Sequence, residues 1–159
     1  MVHELLNGLS PDEVNQALAL GARVKVHSGA SLFRLGDPAD RLFLIERGQI
    51  RLTLPMQVRG RQEDVLIEEK SPGETVGWSA LIPPYRFTLT ATASMETEVI
   101  GLPREALLKH FESSPLAGRK IALNLAVVVG HRLQLLQAMW LREMQRTVAM
   151  HSALAGSSR

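Results

Sequence analysis

Cysteine is absent from all 159 residues, and with it go disulfides, thiolate nucleophiles and every cysteine-based metal site. Aromatic residues are scarce at 4%, so aliphatic side chains have to fill most of any core. No sign of charge dominates either. The 18 Lys and Arg against 16 Asp and Glu leave a formal net charge of +2, well short of the concentrated basic surface of a dedicated nucleic-acid binder. No uncharged run reaches the length that spans a bilayer, and the apolar stretch near Leu5 is broken by Asn7, Gly8, Asp12 and Glu13, so it does not read as a signal peptide. These absences point to a cytoplasmic protein in a reducing compartment.

What is present suits one globular domain: hydrophobic residues make up 45% and charged residues 21%. Ser10-Pro11-Asp12-Glu13 is a helix start, with a hydroxyl at the N-cap, proline at the first helical position and a glutamate placed to close a capping box. Gly21 ends that helix, and residues 1–22 form the N-terminal element. From Arg23 to about Leu102 the pattern changes to short runs of Val, Ile, Leu and Thr, broken by glycines at 29, 36, 48, 60, 73 and 77. Such spacing predicts a sandwich, barrel or roll. Hairpin turns are expected at Arg47-Gly48 and Arg59-Gly60.

Pro103 opens a short helix through about Phe111, and Ser114-Pro115 restarts the chain into a final helix from Leu116 to about His151, with Ser114 as its cap. Residues 103–151 thus form the C-terminal helices, and 152–159 are expected to be a frayed tail. A helix of about 35 residues spans roughly 50 Å, longer than a domain of this size is wide. Its first half, Ile121 to Val129, is apolar on nearly every face. Further along, an apolar stripe runs through Leu133, Leu136, Trp140, Met144 and Val148. We expect this helix to pair with a second copy, with Leu125, Val129, Leu133, Leu136, Trp140 and Met144 at the interface.

The run Gly36-Asp37-Pro38-Ala39-Asp40-Arg41-Leu42-Phe43-Leu44-Ile45-Glu46-Arg47-Gly48-Gln49-Ile50 resembles the second and third strands of cyclic-nucleotide-binding domains. The resemblance extends over about residues 8–145 and implies an eight-stranded antiparallel β-roll of the jelly-roll type at 23–102, an N-terminal helix and a long C-terminal dimer helix. It also locates a ligand segment, Val76 to Thr88. In the family this segment cradles a cyclic phosphate: backbone N–H groups face the anion, an arginine neutralises it, and a glutamate accepts the ribose hydroxyl.

Gly77, Ala80 and Leu81 match that pattern, but two positions depart from it. Trp78 stands where the glutamate belongs, and Phe87 falls at the arginine position with Thr88 after it; a slip of one residue would put Arg86 there instead. The candidate ligand residues are therefore Gly77, Trp78, Ser79, Ala80, Leu81, Arg86, Phe87 and Thr88, joined by Leu136 and Gln137, which lie about where the family's base-facing helix positions fall. Three readings of the pocket stay open. Trp78 and Phe87 fill it as core; a cyclic nucleotide (cyclic AMP or cyclic GMP) is held through backbone amides, Arg86 and Thr88; or another, more apolar effector stacks on Trp78.

Other chemistry finds little support. A metal-binding roll needs converging His and Glu ligands, and of His3, His27, His110, His131 and His151 only His27 lies in the strand region. Ser79 sits in no nucleophile elbow and is expected to cap the short turn of the ligand segment. Glu68 and Glu69, on opposite faces of a strand, read as strand-end solvation. The final helix carries Arg119, Lys120, Arg132, Arg142 and Arg146 against Glu143, read here as a solvated face. The chain stops about where the helix-turn-helix of related bacterial regulators would begin, so nucleic acid is not the expected partner. No catalysis, cofactor, metal or membrane partner is expected. Two functions follow: a sensor in which a small effector shifts the dimer helix, or a ligand-free dimeric scaffold that binds a partner protein.

Overall fold

The computed structural model describes residues 1–157. Leu5 and Leu6, in a 3₁₀ turn over Glu4–Leu6 that the sequence reading missed, are buried. Helix α1 (Pro11–Leu18) starts with the expected capping box, Ser10 accepting the Glu13 N–H and Glu13 accepting the Ser10 N–H. That second bond, with Lys120 nearby, holds the Glu13 carboxyl below its ordinary range. Eight strands follow: β1 (Ala22–Val26), β2 (Ser31–Phe33), β3 (Arg41–Arg47), β4 (Ile50–Val58), β5 (Arg61–Lys70), β6 (Thr75–Val76), β7 (Thr90–Ala93) and β8 (Thr97–Pro103). Helices α2 (Arg104–Ser113) and α3 (Pro115–Gly156) complete the chain.

The strands form two antiparallel sheets, ordered β1-β8-β3-β6 and β2-β7-β4-β5. This is the β-roll the sequence implied. In β3, Leu42 and Leu44 face one way and Phe43 and Ile45 the other, yet all four are buried. An uninterrupted apolar run is what a strand covered on both faces requires. At the β4–β5 turn both Arg59 (φ 51°) and Gly60 (φ 77°) lie in the left-handed region, the backbone of a tight two-residue hairpin. At the β3–β4 turn a side chain on Gly48 would meet the Thr97 hydroxyl and the Glu96 carbonyl well inside contact distance, so only glycine fits.

Three local expectations are corrected. Glu68 is not simply solvated: its carboxylate lies 2.7 Å from the buried Lys70 ammonium, with Glu74 at 3.3 Å on the other side. Glu68 and Lys70 stand two residues apart on β5, so their side chains share one face. Pro103 ends β8 and caps α2 rather than opening it. Residues 152–156, expected in a frayed tail, belong instead to α3; Ser158 and Arg159 lie outside the described residues.

The chain divides into two compact units, residues 1–125 and 126 onward. The first holds the roll, α1, α2 and the start of α3. The second is the continuation of α3, a helix of 42 residues in all and about 63 Å long. Although no uncharged run is long enough to span a bilayer, α3 contains an 18-residue window of mean hydropathy 1.3, sufficient by length and composition alone to cross one.

Lys70 offers a test of this packing. Burial disfavours its ammonium, but Glu68, and after it Glu74 and Glu4, outweigh that and hold its pKa above the ordinary lysine value. Lys70→Met should cost about 2–4 kcal/mol in urea unfolding, because it strands Glu68 and Glu74 without their cation. A pKa raised by folding means the stabilisation is complete below the unfolded lysine range and is lost as pH rises through the folded value. The gap between wild type and Lys70→Met should therefore narrow above about pH 10.4.

Candidate functional site

Strand β6 ends at Gly77, which adopts φ 80° and leads into a 3₁₀ turn over Trp78–Leu81. Glycine is required here twice over. The backbone is left-handed, and a Cβ would lie 3.2 Å from the Phe87 ring and 3.4 Å from the rings of Phe33 and Phe43. Phe33 and Phe87 stack at 3.8 Å with an interplanar angle of 9°, and Phe33 and Phe43 lie 5.9 Å apart. All three are buried. The space in front of Gly77 is thus filled by hydrocarbon.

The backbone around Phe87 explains its orientation. Phe87 N–H donates to the Asp37 carbonyl at 3.0 Å and Gly36 N–H donates to the Phe87 carbonyl at 2.8 Å. Neighbouring side chains on an extended segment alternate, so Phe87 points inward while Arg86 and Thr88 are exposed. The Arg86 guanidinium donates instead to the Gly36 carbonyl at 2.9 Å. Beside the ring cluster a cleft of about 410 Å³ opens, lined by Leu32, Phe33, Asp37, Asp40, Arg41 and Phe87 among others.

The structure brings Gly77, Ala80 and Phe87 close together. Trp78 and Leu81 are half-buried. Ser79 is buried inside the turn and does not cap it, since Gly77 holds the N-cap position with no side-chain bond. Leu136 and Gln137 lie on α3 in the second unit, both exposed. Among the expected interface residues, Leu125 is buried within a single chain and Val129 half-buried, whereas Leu133, Leu136, Trp140 and Met144 are exposed.

Arg104 was missed as part of this region. Its guanidinium donates to the Ala39 carbonyl at 2.6 Å and to the Ala80 carbonyl at 3.2 Å, and lies 4.1 Å from the Tyr85 ring centroid. It ties the first residue of α2 to the ligand segment and to the β2–β3 loop. Nothing in the local sequence pattern of the helix after Pro103 marks Arg104 out. His27 is exposed, just past β1, and pairs with Glu96 at 3.1 Å. Glu96 also accepts the Ser28 N–H, which together with His27 holds its carboxyl below the ordinary range.

The family model of the cyclic nucleotide-binding domain matches residues 23–114, more than half of the chain. The chain belongs to this family. It is 31% identical over 130 residues to the cyclic AMP receptor protein of Thermus thermophilus, an alignment covering 82% of this chain and 57% of the relative. It is 33% identical over 133 residues to Glutaminase 1 of Bradyrhizobium diazoefficiens, covering 81% of this chain but 20% of that protein. The crystal structure of the Thermus thermophilus catabolite activator protein superposes with a TM-score of 0.69 at 28% identity, covering 94% of this chain and 63% of the other. The chain thus spans about half the length of one curated relative and a fifth of the other. What it shares with them is the fold of a cyclic-nucleotide-binding regulatory domain.

Two substitutions separate the inward and outward residues. Phe87→Ala should leave a cavity against Gly77 and cost about 3–5 kcal/mol in urea unfolding. Arg86→Ala, on the exposed side of the same segment, should change stability by less than about 0.5 kcal/mol.

Proposed function

We propose that this chain is a regulatory domain of the cyclic-nucleotide-binding family that acts as a dimer through α3, and that a cyclic phosphate is not its effector. The observation that carries the reading is the Phe87 ring stacked on Phe33 at 3.8 Å in front of Gly77. An anion held by backbone N–H groups needs that space and a cation beside it. Here the space is hydrocarbon, Arg86 is turned to the Gly36 carbonyl, and Trp78 replaces the family's ribose acceptor. A buried site that has lost its charged partners discriminates steeply against the ligand that needed them.

The dimer part rests on α3. Leu133, Leu136, Trp140 and Met144 recur at spacings of three and four and are exposed, so they share one face. A long helix whose apolar stripe is left exposed by the described residues gains most from a second copy of itself. On this reading Leu136 and Gln137 belong to the exposed helix surface and not to a nucleotide site. The roll then serves as a scaffold whose state is read through α3 by a partner protein. The cleft beside Phe33 and Phe87 favours a second reading in one respect: with Leu32, Phe33, Phe43 and Phe87 in its lining and two carboxylates, Asp37 and Asp40, beside Arg41, it suits an apolar effector better than a phosphate.

Thermal unfolding with millimolar cyclic AMP, cyclic GMP or cyclic di-GMP should show no stabilisation. A native-state ligand present at one hundred times its dissociation constant adds about 2.7 kcal/mol, and a shift of that size with any of the three would contradict the reading. Sedimentation equilibrium should give a dimer that Trp140→Asp converts to monomer. A wild-type monomer at high concentration would remove the dimer from the proposal.

A further inference from the structure

The residues before α1 form a strap that makes contacts in two directions. Toward the roll, Glu4 N–H donates to the Gly73 carbonyl at 2.8 Å, and the Glu4 carboxylate accepts the Thr75 N–H at 2.8 Å. Thr75 stands two residues before Gly77. Toward α3, the carbonyls of Leu5 and Asn7 accept hydrogen bonds from Asn124 Nδ2 at 2.9 and 2.8 Å. Between these contacts the Leu5 and Leu6 side chains are buried, so the strap is held in place along its length. Lys120 of α3 adds a second tie, 3.7 Å from Glu13 of α1.

Asn124 is conspicuous in its setting. It interrupts the apolar run of Ile121 to Val129, and asparagine is a poor residue for a helix interior because its amide competes for backbone partners. Here the primary amide, which has two hydrogens to give, spends them on two carbonyls of a segment far away in sequence. A continuous polar chain therefore runs from β6 through Thr75, Glu4, the Leu5 and Asn7 carbonyls and Asn124 to the start of α3.

We propose that Glu4 and Asn124 form a relay that passes a displacement at β6 and Gly77 to α3, beside the shorter link that Arg104 makes between Ala80 and α2. The relay deepens the reading of the chain as a regulatory domain acting through α3, and rests on it. With the strap pinned by buried leucines and by bonds at both ends, a shift of β6 has to move the strap with it or break the Glu4–Thr75 bond. A moved strap carries the Asn124 amide, and so α3. Coupling of this kind is established only by testing whether two perturbations depend on each other.

The test is hydrogen–deuterium exchange on the full chain, with Phe87→Leu as the perturbation at Gly77. In the wild-type background, amides of residues 75–81 and of residues 116–125 should both exchange roughly five- to tenfold faster. In the Asn124→Ala or Glu4→Leu background, the effect of Phe87→Leu on 75–81 should persist, while that on 116–125 falls below about twofold. Glu4→Gln keeps an acceptor for Thr75 N–H and should transmit as the wild type does. If Phe87→Leu reaches α3 as strongly without Asn124 and Glu4 as with them, or never reaches α3 at all, the relay is wrong. Sedimentation of the same samples separates the two failures: a dimer without transmission overturns the relay alone, and a monomer overturns the dimeric reading on which it rests.

Discussion

Gly77 leaves its strand with a left-handed backbone and three phenylalanine rings within van der Waals reach, and much of the chemistry of the roll follows from that crowding. The rings take up the space that a side chain on this glycine would need. Aromatic side chains are few in this sequence, yet three of them meet at one place, where stacked rings give more than the area they bury. The β-roll needs an interior filled to native density. Here part of the filling comes from Phe87, which the family resemblance sets at the position of a charged ligand contact.

Most of the fold was legible in the sequence. The continuous apolar run of β3, the glycine turns at Gly48 and Gly60, the capping box at Ser10 and Glu13 and the proline at the start of α3 each have a local physical cause, and each is found where expected. The site was legible in part. Counting residues set Phe87 at the family's arginine position, with a slip of one residue as the alternative. That Phe87 turns inward and Arg86 outward follows from the backbone bonds to Gly36 and Asp37, which pair residues about fifty positions apart and leave no trace in a local pattern. Arg104 and Asn124 were missed for the same reason: each has partners distant in sequence and looks ordinary among its neighbours in the chain. Lys70 has its acids two and four residues away, but nothing in the local pattern shows that the fold buries it.

These three residues share a physical logic. Arg104 stitches helix α2 to the ligand segment, Lys70 neutralises two acids at the end of β5, and Asn124 fastens α3 to the strap. Each satisfies groups that are costly to leave unpaired away from water. Arg104 and Asn124 also each fasten a helix to a segment distant in the chain. Packed interiors and bonded junctions shift between discrete arrangements, and the proposed relay draws on that property. That property is useful to a regulatory domain whether or not it retains the effector of its relatives.

The central claim is that the Phe87 ring, with Trp78 beside it, stands in place of the contacts that hold a cyclic nucleotide. Isothermal titration calorimetry of cyclic AMP into the wild type and into a Trp78→Glu, Phe87→Arg double variant tests it most directly. The account expects no measurable heat of binding in the wild type and saturable binding in the double variant, where a carboxylate and a guanidinium are restored at the ribose and phosphate positions. Saturable binding in the wild type, weakened by the double substitution, would contradict it.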